Sequence, residues 1–245
     1  MRAGRSLTPV VSYAVRACLP ARRWTGLLVV FGACVAFGLL AHVPDTGRDA
    51  AFARVASAGL FGLVLPLGTL VIGDGVLGAD IRRGTFVYSW LSPVSMTTLT
   101  VGRWLGGSGT ALATMAPAFA LSALVAGSPD AAAPAALGAA IGAVAYVALF
   151  VAIGAATRRS TLVALLWVFL FERLLGTALT GIAQLSPTWE SRAVFTGLAD
   201  VPADLVRRGI PEGWSAVGRL GIITVVALAV ATWRLGRLRL TGPAD

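Results

Sequence analysis

Charge is scarce in this sequence, and so are the side chains that carry out chemistry. Only 13% of its 245 residues are charged, where soluble domains carry about a quarter. With 57% hydrophobic residues in long uncharged runs, that deficit excludes an ordinary soluble domain and points to an integral membrane protein. Lysine is absent: all twenty basic residues are arginine. Two cysteines (Cys18, Cys34) and one histidine (His42) leave nothing to build a metal site from, and a structural disulfide is not expected. Cys34 lies inside an apolar run and reads as packing. No GxSxG occurs and no pair of carboxylates lies within the apolar runs, so chemistry by the chain itself is not expected. There is no GxxxxGK[ST] phosphate loop either. No linker is long enough to set off a second domain.

What is present is a series of apolar runs. A span needs about 20 mostly apolar residues at roughly 1.5 Å rise each. Six candidates occur: 24–43, 55–73, 104–127, 135–157, 161–183 and 215–233. The last works as a span if Arg219 snorkels outward and Trp214 and Trp233 mark the two interfaces. The formal charge is +9, but the arginines lie beside the apolar runs, without interleaved aromatics, so nucleic acid is not the expected partner. With both termini inside, Arg2, Arg5, Arg16, Arg22, Arg23, Arg82, Arg83, Arg103, Arg158, Arg159, Arg234, Arg237 and Arg239 fall on the inner side. Arg48, Arg54, Arg192, Arg207, Arg208 and Arg219 fall outside, offset there by seven acidic residues. The fold class expected is therefore all-α: one polytopic domain over 1–245, six transmembrane helices, N-in and C-in.

The flanks add detail. The basic N-terminus resembles a signal peptide, but its apolar run is too long for a cleaved one and reads as a retained first helix. Leu7, Val10, Val11, Ala14, Val15 and Cys18 recur at helical spacing, with Arg16 off that face. This suits a helix lying along the inner membrane surface. The outer loop 184–214, punctuated by Pro187, Pro202 and Pro211, is expected to cap the outer face, with a short helix over 199–208. Gly73-Asp74-Gly75-Val76-Leu77-Gly78 matches GxGxxG but follows a membrane span rather than a strand, so a dinucleotide site is rejected. Its glycines loosen the helix end and permit close packing, as do Gly102/Gly106 and Gly138/Gly142.

The inner segment 74–103 is too apolar for a free loop and too polar to cross. Asp80-Ile81-Arg82-Arg83-Gly84-Thr85 precedes Phe86-Val87-Tyr88-Ser89-Trp90-Leu91 and then Ser92-Pro93-Val94-Ser95. Pro93 breaks the chain, and Ser95 can cap a new helix over Met96–Arg103. The expected arrangement half-buries Phe86, Tyr88, Trp90 and Leu91 and turns the charges to the cytoplasm.

These residues resemble the inner loop of ATP-binding-cassette exporter permeases of the type 2 class. That family's pattern is an acidic residue, three positions, Gly-Thr, Leu-rich residues, Pro-hydrophobic-Ser and Gly-Lys. Asp80, Gly84, Thr85, Pro93, Ser95 and Gly102 match it, with Arg103 in place of lysine. The stretch Trp167–Gly176, followed by Leu185-Ser186-Pro187, is similar to a Trp-Glu-Gly-Leu-Leu-Gly stretch in part of the family, except that Arg173 stands where a small residue is usual. The resemblance implies a permease that works as a homodimer or related heterodimer with a separate ATPase, and an inner loop that contacts that ATPase. Asp80, Arg82, Arg83, Gly84, Thr85, Pro93, Ser95 and Arg103 are then the coupling residues. It implies no cofactor on this chain; ATP and magnesium belong to the partner.

Glu172 and Arg173, inside the fifth span, are the most costly residues in the sequence. Glu172 faces either the dimer pathway or a polar clamp between helices, and Arg173 is expected to reach a polar group on another span. A rival of a different class is an ATP-independent membrane scaffold or immunity protein binding through the same loop. A secondary transporter ranks lowest, because no internal repeat is evident. All-arginine, alanine-rich composition suggests a GC-rich bacterial source, hence a bacterial cell membrane. The cargo class left open is a small or lipophilic molecule.

Overall fold

The computed structural model describes residues 3–18, 24–43, 47–206, 209–210 and 212–237, and every regular element among them is a helix. Arg2, Arg22, Arg23, Asp45, Arg207, Arg208, Pro211 and Arg239, which enter the readings above, lie outside the described residues. In chain order, α1 is Ala3–Cys18 and α2 is Trp24–Leu40. α3 is Arg48–Arg82, α4 Phe86–Trp90, α5 Met96–Val125, α6 Pro129–Ala156 and α7 Ser160–Ala178. α8 is Thr180–Ala183, α9 Pro187–Thr196 and α10 Trp214–Gly236. Five of these, α3, α5, α6, α7 and α10, are long and apolar enough to cross a membrane. α2, at 17 residues, is apolar but shorter. This is the architecture of a multi-pass membrane protein.

The second apolar helix does not stop at Gly73. It continues to Arg82, through π-helical turns at Asp74–Gly78. The glycines here do not end the helix; they let it cross α6. A Cβ on Gly73 would stand 2.8 Å from that of Phe150, and one on Gly154 only 3.2 Å from the Gly78 nitrogen. Small residues permit such close backbone approach where lipid offers no hydrophobic drive between helices. Much of the expected loop 74–103 is consequently helical.

α6 is the central post. Its Ala135, Ala139, Ala143 and Tyr146 are fully buried, and α3, α5, α9 and α10 pack around it. Gly138 and Gly142 admit Ser191 of α9. Phe61 (α3) meets Phe119 (α5) at 5.2 Å and stacks on Phe195 (α9) at 5.4 Å, so three elements share one aromatic contact.

The outer segment departs from expectation. Its helix is α9 rather than 199–208, because Ser186 caps the Trp189 N–H and Pro187 sits at the first helical position. Within 199–208 the described residues form only a 3₁₀ turn, Ala203–Leu205. α7 ends at Ala178, where Leu179 turns extended (φ −122°, ψ 114°). Arg219 does not snorkel alone: its Nη1 stands 3.5 Å from Glu190 of α9, which is fully buried. That ion pair lets α10 run 23 residues with arginine in its second turn.

Candidate functional site

α3 ends by a specific device. Gly84 takes φ +72°, the left-handed region that disfavours side chains; its N–H bonds the Ile81 carbonyl at 3.3 Å. The Thr85 N–H bonds the Asp80 carbonyl at 3.0 Å. This pair of bonds is a Schellman helix stop, and the spacing Asp-x-x-x-Gly-Thr follows from it: two residues of the motif close the helix whose third-last residue is Asp80. After α4, Ser95 (φ −64°, ψ 148°) opens α5 by accepting the Thr98 N–H at 3.0 Å.

α1 is seated on α5 through two glycines. A Cβ on Gly102 would stand 2.7 Å from Val10 Cγ1, and one on Gly106 2.6 Å from Ala14 Cβ and 2.7 Å from the Val11 carbonyl. Ala14 and Cys18 are buried on that face while Arg16 is exposed, so α1 is amphipathic in the sense its apolar spacing indicates.

Beside that seat lies a polar cluster drawn from four helices. Arg103 (α5) is 1% exposed; its Nη1 donates to Asp80 (α3) at 2.7 Å and to the Val76 carbonyl at 2.6 Å, and its Nη2 donates to Ser89 (α4) at 2.8 Å. The Tyr13 hydroxyl (α1) donates to the same Asp80 oxygen at 3.0 Å, and its ring faces the guanidinium at 5.1 Å. Burial, then the Asp80 carboxylate, raises the Tyr13 phenol above its ordinary value, which keeps the proton on the donor. A second pair lies one side of it: Arg82 grips Asp74 at 2.5 and 2.6 Å, and Ser160 and Thr161 of α7 donate to Asp74 at 3.0 and 3.1 Å.

The expected coupling residues therefore divide. Asp80 and Arg103 are not turned to solvent; each is buried because the other neutralises it. Arg82 is engaged by Asp74. Arg83, Gly84, Thr85, Pro93 and Ser95 are exposed, as are Tyr88 and Leu91, while Phe86 is buried and Trp90 half-buried. Tyr88 and Leu91 are thus more exposed, and Phe86 less, than the half-buried pattern expected. A groove of about 520 Å³ opens between α1, α4 and the start of α5, with Val10, Tyr13, Tyr88, Val94 and Leu99 along it. No protein-family model matches this chain, and no curated protein matches it.

The second polar locus is on α7. Glu172 is 1% exposed. It accepts hydrogen bonds from Tyr146 of α6, from Thr188 of α9 at 2.7 Å and from the Trp167 indole at 3.2 Å. It thus clamps α6, α7 and α9 by neutral donors. π-helical turns over Trp167–Leu175 aim it inward, away from the lipid-facing Phe169, Leu170 and Leu174. Arg173, expected to reach a polar group on another span, lies against Gly62 of α3. An arginine at the centre of a span costs about 2.5–3.5 kcal/mol on insertion scales; Arg173 lies five residues from the end of α7.

Sequence reasoning missed Tyr13, Ser89, Tyr146, Thr188 and the Asp74–Ser160 contact. One signal was available: a lone tyrosine in an Ala/Gly-rich span must find a partner for its hydroxyl.

Proposed function

We propose that this chain is the permease subunit of an ATP-driven exporter of the type 2 ATP-binding-cassette class. In this reading it spans the membrane six times, α2 included, with both termini on the cytoplasmic side. It works as a dimer on a separate ATPase, which carries the ATP and magnesium. The observation that supports it best is mechanical. α1, the end of α3, α4 and the start of α5 are joined by the Gly102/Gly106 seat and the Tyr13–Asp80–Arg103–Ser89 cluster into one block. The block continues directly into two long apolar helices, so a push on Arg83, Tyr88 or Leu91 becomes a tilt of α3 and α5 rather than a local flexing. The arginine distribution supports the orientation: Arg16, Arg82, Arg83 and Arg103 all belong to this block.

Affinity purification from native membranes, with identification of the co-purifying chains, tests the reading. Recovery of an ATPase subunit supports it. Recovery of a non-ATPase partner alone transfers the loop to a scaffold or immunity role. Within a recovered complex, Asp80→Ala and Gly84→Pro are expected to uncouple ATP turnover from transport while leaving membrane insertion intact; normal coupling in both removes the loop's role.

A further inference from the structure

Glu172 and Arg173 are chain neighbours on a helix that faces lipid, yet only the carboxylate is satisfied. Three neutral donors enclose Glu172. The Arg173 guanidinium has no hydrogen-bond or ion-pair partner among the described residues. It lies against α3, where a Cβ on Gly62 would stand 2.5 Å from Nη1 and 3.2 Å from Cζ, so a larger residue at 62 would displace it from this seat. One π-helical turn before Gly62 is Ser57, whose Oγ is buried with no hydrogen-bond partner. Arg173 stands roughly 20 Å along α7 from Ser160 and roughly 8 Å from Ala178 at about 1.5 Å per residue, with Phe169, Leu170 and Leu174 exposed around it.

A charge this far along an apolar helix needs a counter-charge. A second copy of the chain does not offer one from the inner parts of its long helices. Glu172 is enclosed, Asp74 is held by Arg82 and Asp80 by Arg103. The remaining acids of those helices, Asp49 and Asp130, lie in first turns at the end away from Ser160, and Asp49 is bonded by Ser128. The anion must then come from the bilayer or from what moves through it.

We propose that Arg173, seated beside Gly62 of α3, is a membrane-embedded site for the anionic head of an amphiphile, a phosphate or carboxylate on an acyl chain. The guanidinium supplies two parallel donors suited to either group. The site stands independently of ATP coupling; on the exporter reading it gives the cargo, or a lipid travelling with it, a negative head.

The test is electron spin resonance of the purified chain in phosphatidylcholine membranes. The probes are spin-labelled stearic acid under alkaline conditions, its methyl ester, phosphatidic acid and phosphatidylcholine. At least one anionic probe should be motionally restricted about fivefold more strongly than its neutral counterpart. Arg173→Gln should abolish that preference and Arg173→Lys should keep most of it. Gly62→Leu, which leaves the charge but fills its seat, should also reduce it. A preference for stearate marks a single-chain ligand, one for phosphatidic acid a bilayer lipid. No preference in the wild type, or one that survives Arg173→Gln, overturns the site. Neither result depends on an ATPase being present, so failure here leaves the exporter reading to its own test.

Discussion

Asp80 and Glu172 are both carboxylates buried among helices, and the fold answers them by different means. Asp80 meets a full positive charge, Arg103, and a phenol; Glu172 meets two hydroxyls and an indole. A buried ion pair is unforgiving, because removing one partner strands the other in low dielectric. Neutral donors tolerate exchange, because each bond contributes only about 0.5–1.5 kcal/mol net. The first arrangement makes a rigid block at the arginine-rich end. The second makes a clamp between α6, α7 and α9 and leaves Arg173 uncompensated.

The sharpest way to break this comparison is Arg103→Ala. It should destabilise the folded chain by about 3–5 kcal/mol, read as lost thermal stability in detergent, and Asp80→Ala added to it should restore part of the loss. A melting temperature equal to wild type would show that the cluster is not a structural joint. Next in size is Gly106→Leu, which drives a side chain into Ala14 and the Val11 carbonyl. Overpacking of this kind costs about 1–3 kcal/mol, and α1 should become accessible to protease while the long helices stay protected.

Glu172→Gln should be milder, about 1 kcal/mol, since the amide still accepts from Thr188 and Tyr146. Asp80→Asn, the same chemical change, removes the counter-charge of Arg103 and should cost several times more. Equal effects of the two amides would erase the distinction between the sites.

A pH effect is also expected, at α9. Burial pushes the Glu190 carboxyl up to about 7, against the lowering pull of Arg219, from an ordinary value of about 4.3. The folded chain therefore keeps a proton that the unfolded chain has released between those values. The stability this contributes is full below the ordinary carboxylate range and is lost as pH rises through about 7. Thermal stability should fall modestly from about pH 5 to about pH 8, and Glu190→Gln should flatten that slope.

Much of this was legible from spacing alone. The stripe Leu7, Val10, Val11, Ala14, Val15, Cys18 marks the buried face of α1, and Ser95 marks the start of α5, because helical periodicity and capping are local physics. The end of α3 was misplaced at Gly73, because glycine in a crowded helix crossing serves packing as readily as it serves termination. Ser186-Pro187 was a readable start for α9 and was passed over for the proline-bounded stretch that follows. The burial of Asp80 and Arg103 was not legible, because 23 positions separate them and nothing local says that they meet.

Composition and periodicity by themselves determined that this is an all-helical chain with long apolar helices, an amphipathic first helix and its polar residues concentrated in a few places. Those properties depend on side-chain transfer free energies and on neighbours within a turn or two. Which charges pair, which stay buried and which stands alone was decided only by the tertiary structure. A charge within a low-dielectric interior is governed by what lies within a few ångströms of it, and helix packing sets that distance. Glu172 and Arg173, adjacent in the chain and about 100° apart on a helix, point to different neighbours for that reason: Glu172 to three donors, Arg173 to Gly62 of α3.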